Sequence, residues 1–385
     1  MNRGIRLPIV WNALWLVILS AGVAEIGART IGARLLPPKR SLDSLPGMEV
    51  PGEPNMVVDA ASGWRPRTGE QASFGIPGGT SVNSNGMRGP EITRRKPTGE
   101  RRILILGDSN VFGVLVADAD IFPRRLEASL EVIDPQIHVL NGGAPGWSSW
   151  QALRATETRF VAYKPDLVVV ASLWSDVQGA DQADRVRFSA FHLGMEHSSA
   201  FVIVREWARY VRLAPEETDT QVGRRPPGSG PGANVGRGAN APGVTAASPR
   251  ADGNNGVGNN GGNKSPIIGK GGAPTVRVSL DEYRANLTAL TTLSRNAGGD
   301  AAFLVLPHIR DVGGGTIGDF RDDYRTAMRD TAATLHVPIA DAPAAFVGAN
   351  AGAMFLDEVH PSAAGHARIA AVLTETLSEW AKHPK

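Results

Sequence analysis

The stretch RRILILGDS, residues 101–109, decides the fold. Its apolar run Ile103–Leu106 has the length and composition of a strand buried in a parallel sheet. Gly107, Asp108 and Ser109 follow directly, so the serine lies at the carboxyl end of this strand. Open α/β sheets bind their ligands at that end. The stretch therefore predicts a functional serine at the edge of a parallel sheet.

The rest of the chain continues this pattern, because short apolar runs alternate with amphipathic stretches. Such alternation is typical of a parallel sheet with helices on both faces. The predicted strands are Ile103–Leu106, Ile137–Leu140, Leu167–Ala171, Ala302–Leu306 and Val337–Ala340. The predicted helices are Phe122–Val132, Ser149–Ala162, Leu280–Arg295, Phe320–Leu335 and a last one after Pro361.

The N-terminal segment, residues 1–36, is predicted to be a membrane anchor or a signal. The mostly apolar run Leu7–Ile26 has basic residues before and after it and is just long enough to span a bilayer. A cleaved signal peptide is the alternative, since Gly22–Ala24 has the small residues that a signal peptidase prefers. A buried core helix is the third. The first two place the remaining chain outside the cytoplasm, in the periplasm or at the cell surface.

Two further segments differ in composition from the predicted domain. Residues 37–100 are rich in proline, glycine and polar groups and are predicted to be a spacer and lead-in. Residues 223–274 contain fifteen glycines and almost no large apolar side chains, so they are predicted to be a disordered insertion. The domain then comprises residues 101–222 and 275–385.

Composition excludes several classes of function. The chain has no cysteine, which rules out disulfides, thiolate metal sites and a cysteine nucleophile. Residues 1–40 and 223–274 each carry a net charge of +5, so the remainder of a chain with a total of +2 is acidic. The basic pI therefore does not indicate nucleic-acid binding.

His360, near the C-terminus, is the candidate base for the serine, and Asp357 precedes it by three residues. A serine, an imidazole and a carboxylate that orients it are what acyl transfer through a serine ester requires. Each motif alone also fits a polar turn or a helix start. His308 and His336 adjoin predicted strands and are interpreted as structural. No metal or cofactor is predicted, because the chain lacks a His-Glu-x-x-His motif and three further histidines, His138, His192 and His197, show no ligand-like spacing.

Glycines follow the second predicted strand at positions 142, 143 and 146. Glycine lets a backbone N–H approach a ligand closely, and such an N–H can stabilise a developing oxyanion. A plain turn between strand and helix is the alternative interpretation.

The order and spacing of these blocks resemble the SGNH (GDSL-type) hydrolases over about residues 101–380 apart from the insertion. The blocks are Ile-Leu-Gly-Asp-Ser, Asn-Gly-Gly-Ala-Pro-Gly, Pro165-Asp166-Leu-Val-Val-Val and Asp-x-x-His-Pro. The resemblance implies a flavodoxin-like, three-layer α/β/α domain without a cofactor. It also implies that Ser109 is the nucleophile, His360 the base and Asp357 the orienting carboxylate, with the N–H groups of Ser109 and Gly146 in the oxyanion hole.

One block departs from the family. Ser175 stands where the family has the asparagine of the oxyanion hole, and its hydroxyl is shorter than an amide. Loss of one such donor typically lowers turnover by about 10²–10³. The substitution weakens the expectation of a fast enzyme and leaves a catalytically inactive relative open.

Taken together, the sequence predicts a membrane-anchored, exported serine esterase. By analogy with the family, its substrate is an O-acyl, above all O-acetyl, ester of an extracytoplasmic glycan or lipid. The alternatives are an O-acyltransferase with the same triad and a non-catalytic domain that binds a glycan or a partner.

Overall fold

The computed structural model describes residues 7–35, 55–59, 61–71, 76, 78–180, 183–188, 200, 203–204, 207, 267–268, 274–314 and 316–383. The chain forms two compact units. The first comprises Met1–Pro38 and Ser199–Asn259, and the second comprises Lys39–Ser198 and Asn260–Lys385. The candidate triad residues all belong to the second unit.

In the first unit, a long helix, α1, extends over Leu7–Leu35. Several of its apolar side chains are exposed, among them Trp15 and Leu16. Within the described part of the chain, no helix is long and apolar enough to cross a membrane. The run Leu7–Ile26 is therefore helical, but its predicted assignment as a membrane span is not supported.

Among its described residues, the second unit contains eleven strands and nine helices, which largely alternate along the chain after a strand-rich start. Its strands are β1 (Met56–Asp59), β2 (Gly63–Pro66), β3 (Gly69–Gln71), β4 (Thr80–Val82), β5 (Arg101–Gly107), β6 (Ile137–Asn141), β7 (Leu167–Ala171), β8 (Ile267–Ile268), β9 (Pro274–Thr275), β10 (Asp300–Val305) and β11 (Ile339–Asp341). Its helices are α2 (Ser109–Phe112), α3 (Phe122–Glu131), α4 (Ser149–Thr158), α5 (Asp184–Arg187), α6 (Leu280–Asn296), α7 (Arg321–Leu335), α8 (Ala342–Ala345), α9 (Ala351–Met354) and α10 (Ala363–Lys382). Short 3₁₀ turns cover Phe160–Tyr163 and Ile309–Gly313.

A five-stranded parallel sheet forms the centre of this unit, in the order β6-β5-β7-β10-β11. Numbered by their appearance in the sheet, the strands lie 2-1-3-4-5, which is the order of flavodoxin-like doubly wound sheets. All seven residues of β5 are buried, as its apolar run predicts. The predicted α/β class and parallel sheet are confirmed.

The helices fall into two packing groups. Helix α3 packs against α10, whereas α6 packs against both α4 and α7. Because crossovers between parallel strands are right-handed as a rule, this strand order assigns the two groups to opposite faces of the sheet. The strand order then leaves a crevice beside the carboxyl ends of β5 and β7, where the chain reverses direction across the sheet.

The described part of the predicted lead-in, from Asn55 onward, is folded onto the sheet domain. β1 pairs with β2 and β3 with β4, both antiparallel, and Trp64 of β2 is almost fully buried. Most of the predicted insertion 223–274 lies outside the described residues. At its C-terminal end, Ile267–Ile268 pairs with Pro274–Thr275 in a short antiparallel ladder.

Candidate active site

Ser109 begins the short helix α2 directly after β5. Asp108 caps this helix, because its carboxylate accepts the Asn110 N–H at 2.9 Å. Gly107 is required at the end of the strand, since a Cβ there would lie 2.5 Å from Val111 Cγ2 and 2.9 Å from the Ala171 carbonyl oxygen. This tight strand-to-helix turn fixes the serine at the carboxyl edge of the sheet.

The three residues expected to form a triad are in contact, although 251 positions separate Ser109 from His360. Ser109 Oγ lies 2.8 Å from His360 Nε2. On the other side of the ring, His360 Nδ1 lies 2.6 Å from Asp357 Oδ2. The second oxygen of Asp357 accepts the backbone N–H groups of Val359 and His360 at 2.9 and 2.8 Å.

The Asp357 carboxylate is held in its charged form. Burial alone would raise the pKa of this group, but the hydrogen bond and charge of His360 outweigh burial and lower it to about 2. A carboxylate ionised over the neutral range can orient the imidazole and stabilise its protonated form.

The loop that carries Asp357 and His360 is closed at its base by backbone bonds. The Leu356 N–H donates to the His360 carbonyl at 2.8 Å, and the Ser362 N–H donates to the Met354 carbonyl at 2.8 Å. The Ile309 N–H also donates to the Glu358 carbonyl at 2.9 Å, which ties this loop to the one after β10. These bonds hold the loop that places the imidazole beside Ser109.

The glycine-rich segment after β6 is fastened to the turn that carries Ser109. The Ala144 N–H donates to the Gly107 carbonyl at 3.1 Å, and Asn141 Nδ2 donates to the Val111 carbonyl at 2.8 Å. Gly146 has a φ of +76°, a conformation that favours glycine. Neither the Ser109 N–H nor the Gly146 N–H meets an acceptor within the described residues. Both donors are thus available to a ligand.

Ser175 lies in the turn after β7 and is buried. Its backbone N–H is close enough to the Asp108 carboxylate to favour the charged form of that group, although burial is dominant and raises the pKa of Asp108. The structure therefore places residue 175 beside the turn that carries Ser109, at the crevice between β5 and β7.

Two residues that support the Gly146 segment have no signal in the sequence. Trp64 Nε1 donates to the Pro145 carbonyl at 3.0 Å, and Arg277 Nη1 donates to the Gly146 carbonyl at 2.6 Å. Both are solitary residues far from position 146 in the chain. No motif or periodicity predicts their role.

A buried carboxylate next to the site belongs to Asp176. It accepts the Ser149 N–H at 2.9 Å and also the Ser149 hydroxyl, which in turn accepts from Asn286 at 2.9 Å. Burial raises the pKa of Asp176 to about 7. This network joins the turn after β7 to the start of α4 and to the first half of α6.

His308 was interpreted from sequence as structural, and its surroundings are consistent with that. Its Nδ1 accepts the Arg310 N–H at 3.1 Å, and its ring packs against Trp174 with centroids 5.5 Å apart. Burial, together with the charges of Arg321 and Arg325, lowers the pKa of His308 to about 4.

One group of described residues has the spacing of metal ligands. Ligand atoms of Glu127, Glu131 and His138 lie within 4.8 Å of one another, which the sequence spacing did not reveal. Glu127 already binds Arg124 and accepts the Val139 N–H at 3.2 Å. His138 of β6 lies opposite Arg102 of β5 in the strand register, near the amino ends of both strands. Ser109, in contrast, follows the carboxyl end of β5. This group is therefore separate from the candidate triad.

Comparisons with known proteins add little beyond these observations. No protein-family model matches the chain, and no curated protein matches its sequence. Among solved structures, the chain is similar to an α/β hydrolase enzyme from the metagenome of Lake Arreo, Spain, with 15% identity over 74% of this chain and 97% of that one, at a TM-score of 0.42. It is also similar to an acetylxylan esterase from Geobacillus stearothermophilus, with 18% identity over 73% and 95% of the two chains, at a TM-score of 0.41.

Proposed function

We propose that this protein is a serine-dependent carboxylic ester hydrolase of the SGNH type. The observation that supports it is the chain of contacts from Ser109 Oγ to His360 Nε2 at 2.8 Å and from His360 Nδ1 to Asp357 at 2.6 Å. A nucleophile, a base and an orienting carboxylate in this geometry activate a serine for acyl transfer. The flavodoxin-like strand order and the resemblance in the sequence blocks agree with this proposal.

The reaction follows from the positions of these groups. Ser109 Oγ attacks the acyl carbon while His360 Nε2 accepts the hydroxyl proton, and the imidazolium is stabilised by Asp357. When the tetrahedral intermediate collapses, His360 returns the proton to the departing alcohol and the acyl group remains on Ser109. Water then attacks this ester, again with His360 as the base, and the acid leaves.

The oxyanion of both tetrahedral intermediates needs donors in fixed positions. We assign this role to the backbone N–H groups of Ser109 and Gly146, which have no acceptor in the described part of the chain. Ser175 contributes a weaker third donor, because its hydroxyl reaches less far than an asparagine amide. An enzyme of moderate turnover is expected.

The substrate class rests on the resemblance in sequence. We assign O-acyl, above all O-acetyl, esters of an extracytoplasmic glycan or lipid, and no cofactor takes part in this chemistry. Transfer of the acyl group to an acceptor hydroxyl uses the same triad and differs only in whether water or an alcohol attacks the acyl-serine.

The location is proposed from the N-terminal sequence. The apolar run Leu7–Ile26 with its flanking basic residues supports export of the catalytic unit, through an anchor or a cleaved signal. Fractionation of cells that express the full chain, with immunoblotting of each fraction before and after protease treatment of spheroplasts, tests this assignment. Protection of the catalytic unit inside intact spheroplasts would contradict it.

Activity-based labelling tests the function itself. We expect the purified full-length protein to react with a fluorophosphonate probe and the Ser109→Ala variant to remain unlabelled. Acetate release from acetylated glycan fragments in water, compared with acetyl transfer when excess unacetylated fragments are added, then separates hydrolase from transferase. A folded wild-type protein without labelling would contradict the proposal and support the non-catalytic binding domain.

A further inference from the structure

We propose that Trp64 is a positioning residue for the oxyanion hole, which it serves by holding the peptide group that carries the Gly146 N–H. This inference rests on the proposed function, since it concerns the donor assigned there to Gly146. Trp64 belongs to β2, in the strand-rich segment that precedes the sheet domain. The segment would thereby contribute to catalysis as well as to packing.

The geometry of a single peptide group carries the inference. The Gly146 N–H and the Pro145 carbonyl belong to the same planar, trans unit, so the two bonds point in opposite directions. Trp64 Nε1 donates to that Pro145 carbonyl at 3.0 Å. The hydrogen bond from the indole therefore fixes the direction of the Gly146 N–H.

Restraint of the 145–146 peptide matters because residue 146 is a glycine. Gly146 has a φ of +76°, and glycine passes between backbone conformations more easily than other residues. Rotation of the 145–146 peptide would turn the N–H away and present a carbonyl oxygen to the developing negative charge. Trp64 opposes this rotation because its buried N–H would lose its acceptor, which is costly.

The next peptide group is held by a second buried donor, Arg277. Arg277 Nη1 donates to the Gly146 carbonyl at 2.6 Å, while its Nε and Nη2 donate to Asp184 at 3.1 and 2.8 Å. Both Arg277 and Asp184 are buried. The peptides before and after Gly146 are thus each anchored by a buried donor, one from β2 and one from the segment before α6.

Trp64 is itself held in place by the same part of the domain. Its carbonyl accepts from Trp147 Nε1 at 2.8 Å, and the neighbouring Ser62 carbonyl accepts from Gln151 Nε2 at 2.7 Å. Its ring meets Phe188 edge-on with centroids 5.4 Å apart, and the Arg277 guanidinium lies 5.5 Å above it. The indole is therefore a rigid donor, as preorganisation of an oxyanion hole demands.

The substitution at position 175 makes this support more important. If the third donor is a short serine hydroxyl, a larger share of the oxyanion stabilisation comes from the Gly146 N–H. Loss of its orientation is then expected to lower turnover more than loss of packing alone would.

The test removes the indole N–H and keeps the ring. Trp64→Phe and the isosteric Trp64→benzothienylalanine, which has sulfur in place of the N–H group, are prepared in the full-length protein. Trp150→Phe is the matched control, because the Trp150 ring also packs on Phe188, with centroids 5.7 Å apart, but does not bind Pro145. Steady-state hydrolysis of p-nitrophenyl acetate, the rate of fluorophosphonate labelling and thermal unfolding are measured for each.

We expect both Trp64 variants to lose at least about tenfold in kcat and in labelling rate, less than the roughly 100- to 1,000-fold cost of deleting an oxyanion donor. KM and the acid limb of the pH profile should stay unchanged, since substrate binding and His360 are untouched. Trp150→Phe should keep wild-type kcat. If benzothienylalanine at position 64 retains wild-type kcat, the inference is overturned, even where Trp64→Phe proves unstable. An unlabelled wild-type protein would instead refute the proposed function.

Discussion

Asp357 contacts His360 through two separate hydrogen bonds: its Oδ2 lies 2.6 Å from the imidazole Nδ1, and its Oδ1 accepts the backbone N–H of the same residue at 2.8 Å. One carboxylate thus fixes both the ring and the loop that carries it. Because Nδ1 must carry a proton to donate to Asp357, Nε2 is left as the acceptor that faces Ser109. The tautomer needed for catalysis is built into this pair.

Asp357→Asn separates these two functions. The amide oxygen can still accept the backbone N–H, but the amide NH₂ group opposite Nδ1 favours the tautomer with the proton on Nε2. We expect thermal stability close to wild type and a loss of about 10⁴-fold in kcat, as for a triad with the wrong tautomer. The loss of activity is measured by hydrolysis of p-nitrophenyl acetate and by the rate of fluorophosphonate labelling. A variant that is folded and within tenfold of wild type would show that Asp357 does not orient the base.

Ser175 provides a second test of the oxyanion hole. It is buried, and its backbone N–H lies near the Asp108 carboxylate, next to the nucleophile. We expect Ser175→Asn to raise kcat by about tenfold or more, because a restored donor reverses part of the loss that such a deletion causes. KM for p-nitrophenyl acetate should change little.

Ser175→Ala is the matched variant for that experiment. If the serine hydroxyl donates to the oxyanion, removing it lowers kcat further without changing the unfolding temperature. Equal kcat values for wild type, Ser175→Ala and Ser175→Asn, all folded, would mean that position 175 takes no part in stabilising the intermediate.

Asp176 makes stability depend on pH in a defined direction. Burial raises its pKa from an ordinary 3.8 to about 7 in the folded protein, so the folded state binds more protons than the unfolded state between these values. The contribution of protonated Asp176 to the free energy of unfolding is fully present below about pH 4. It is lost as the pH rises through about 7, where the carboxyl group ionises in the folded protein. Stability from this group therefore falls between pH 5 and pH 8.

Urea unfolding at pH 5 and pH 8 measures this dependence in wild type and Asp176→Asn. The quantity to compare is the difference in free energy of unfolding between the two proteins at each pH. Buried neutral histidines such as His308 make stability rise with pH, but they do so equally in both proteins and cancel in this difference. We expect the variant to gain relative to wild type as the pH rises. An identical pH dependence in both proteins would show that Asp176 is ionised in the folded state throughout this range.

The elements of the sheet could be predicted because hydrophobic runs and local spacing carry the information. β7 covers Leu167–Ala171, the predicted range, and α6 begins at Leu280, the predicted first residue, after a capping box formed by Ser279 and Glu282. The predicted helix Ser149–Ala162 is shorter, since α4 ends at Thr158 and a 3₁₀ turn continues to Tyr163. Pro165 follows closely, and the residue before a proline is disfavoured in a helix.

The support of the oxyanion hole could not be predicted, for a physical reason. Trp64 binds the Pro145 carbonyl across 81 positions, and Arg277 binds the Gly146 carbonyl across 131. A side chain that donates to a distant backbone carbonyl needs no particular neighbours in sequence. The composition of residues 37–100 predicted a spacer, because glycine and proline obscured the short strands β1–β4. The candidate triad, by contrast, can be predicted from sequence, because Asp357 and His360 are only three positions apart.

Gly143 packs tightly against the helix that carries the nucleophile Ser109. A Cβ at this position would lie 2.6 Å from the Phe112 nitrogen and 2.6 Å from Val111 Cβ, both in the helix that begins with Ser109. Real side chains do not approach so closely, so Gly143→Ala must displace α2. Overpacking of this kind typically costs about 1–3 kcal/mol.

We therefore expect Gly143→Ala to lower the free energy of unfolding by that amount and to slow fluorophosphonate labelling, since Ser109 moves relative to His360. Gly313→Ala is the control, because a Cβ there meets no atom within 4 Å and stability should stay within about 0.5 kcal/mol. Urea unfolding and labelling kinetics are measured on both. If Gly143→Ala matched the control in both measurements, the turn of Ser109 would tolerate displacement, and the close fit between the segments after β5 and β6 would not be what aligns the nucleophile.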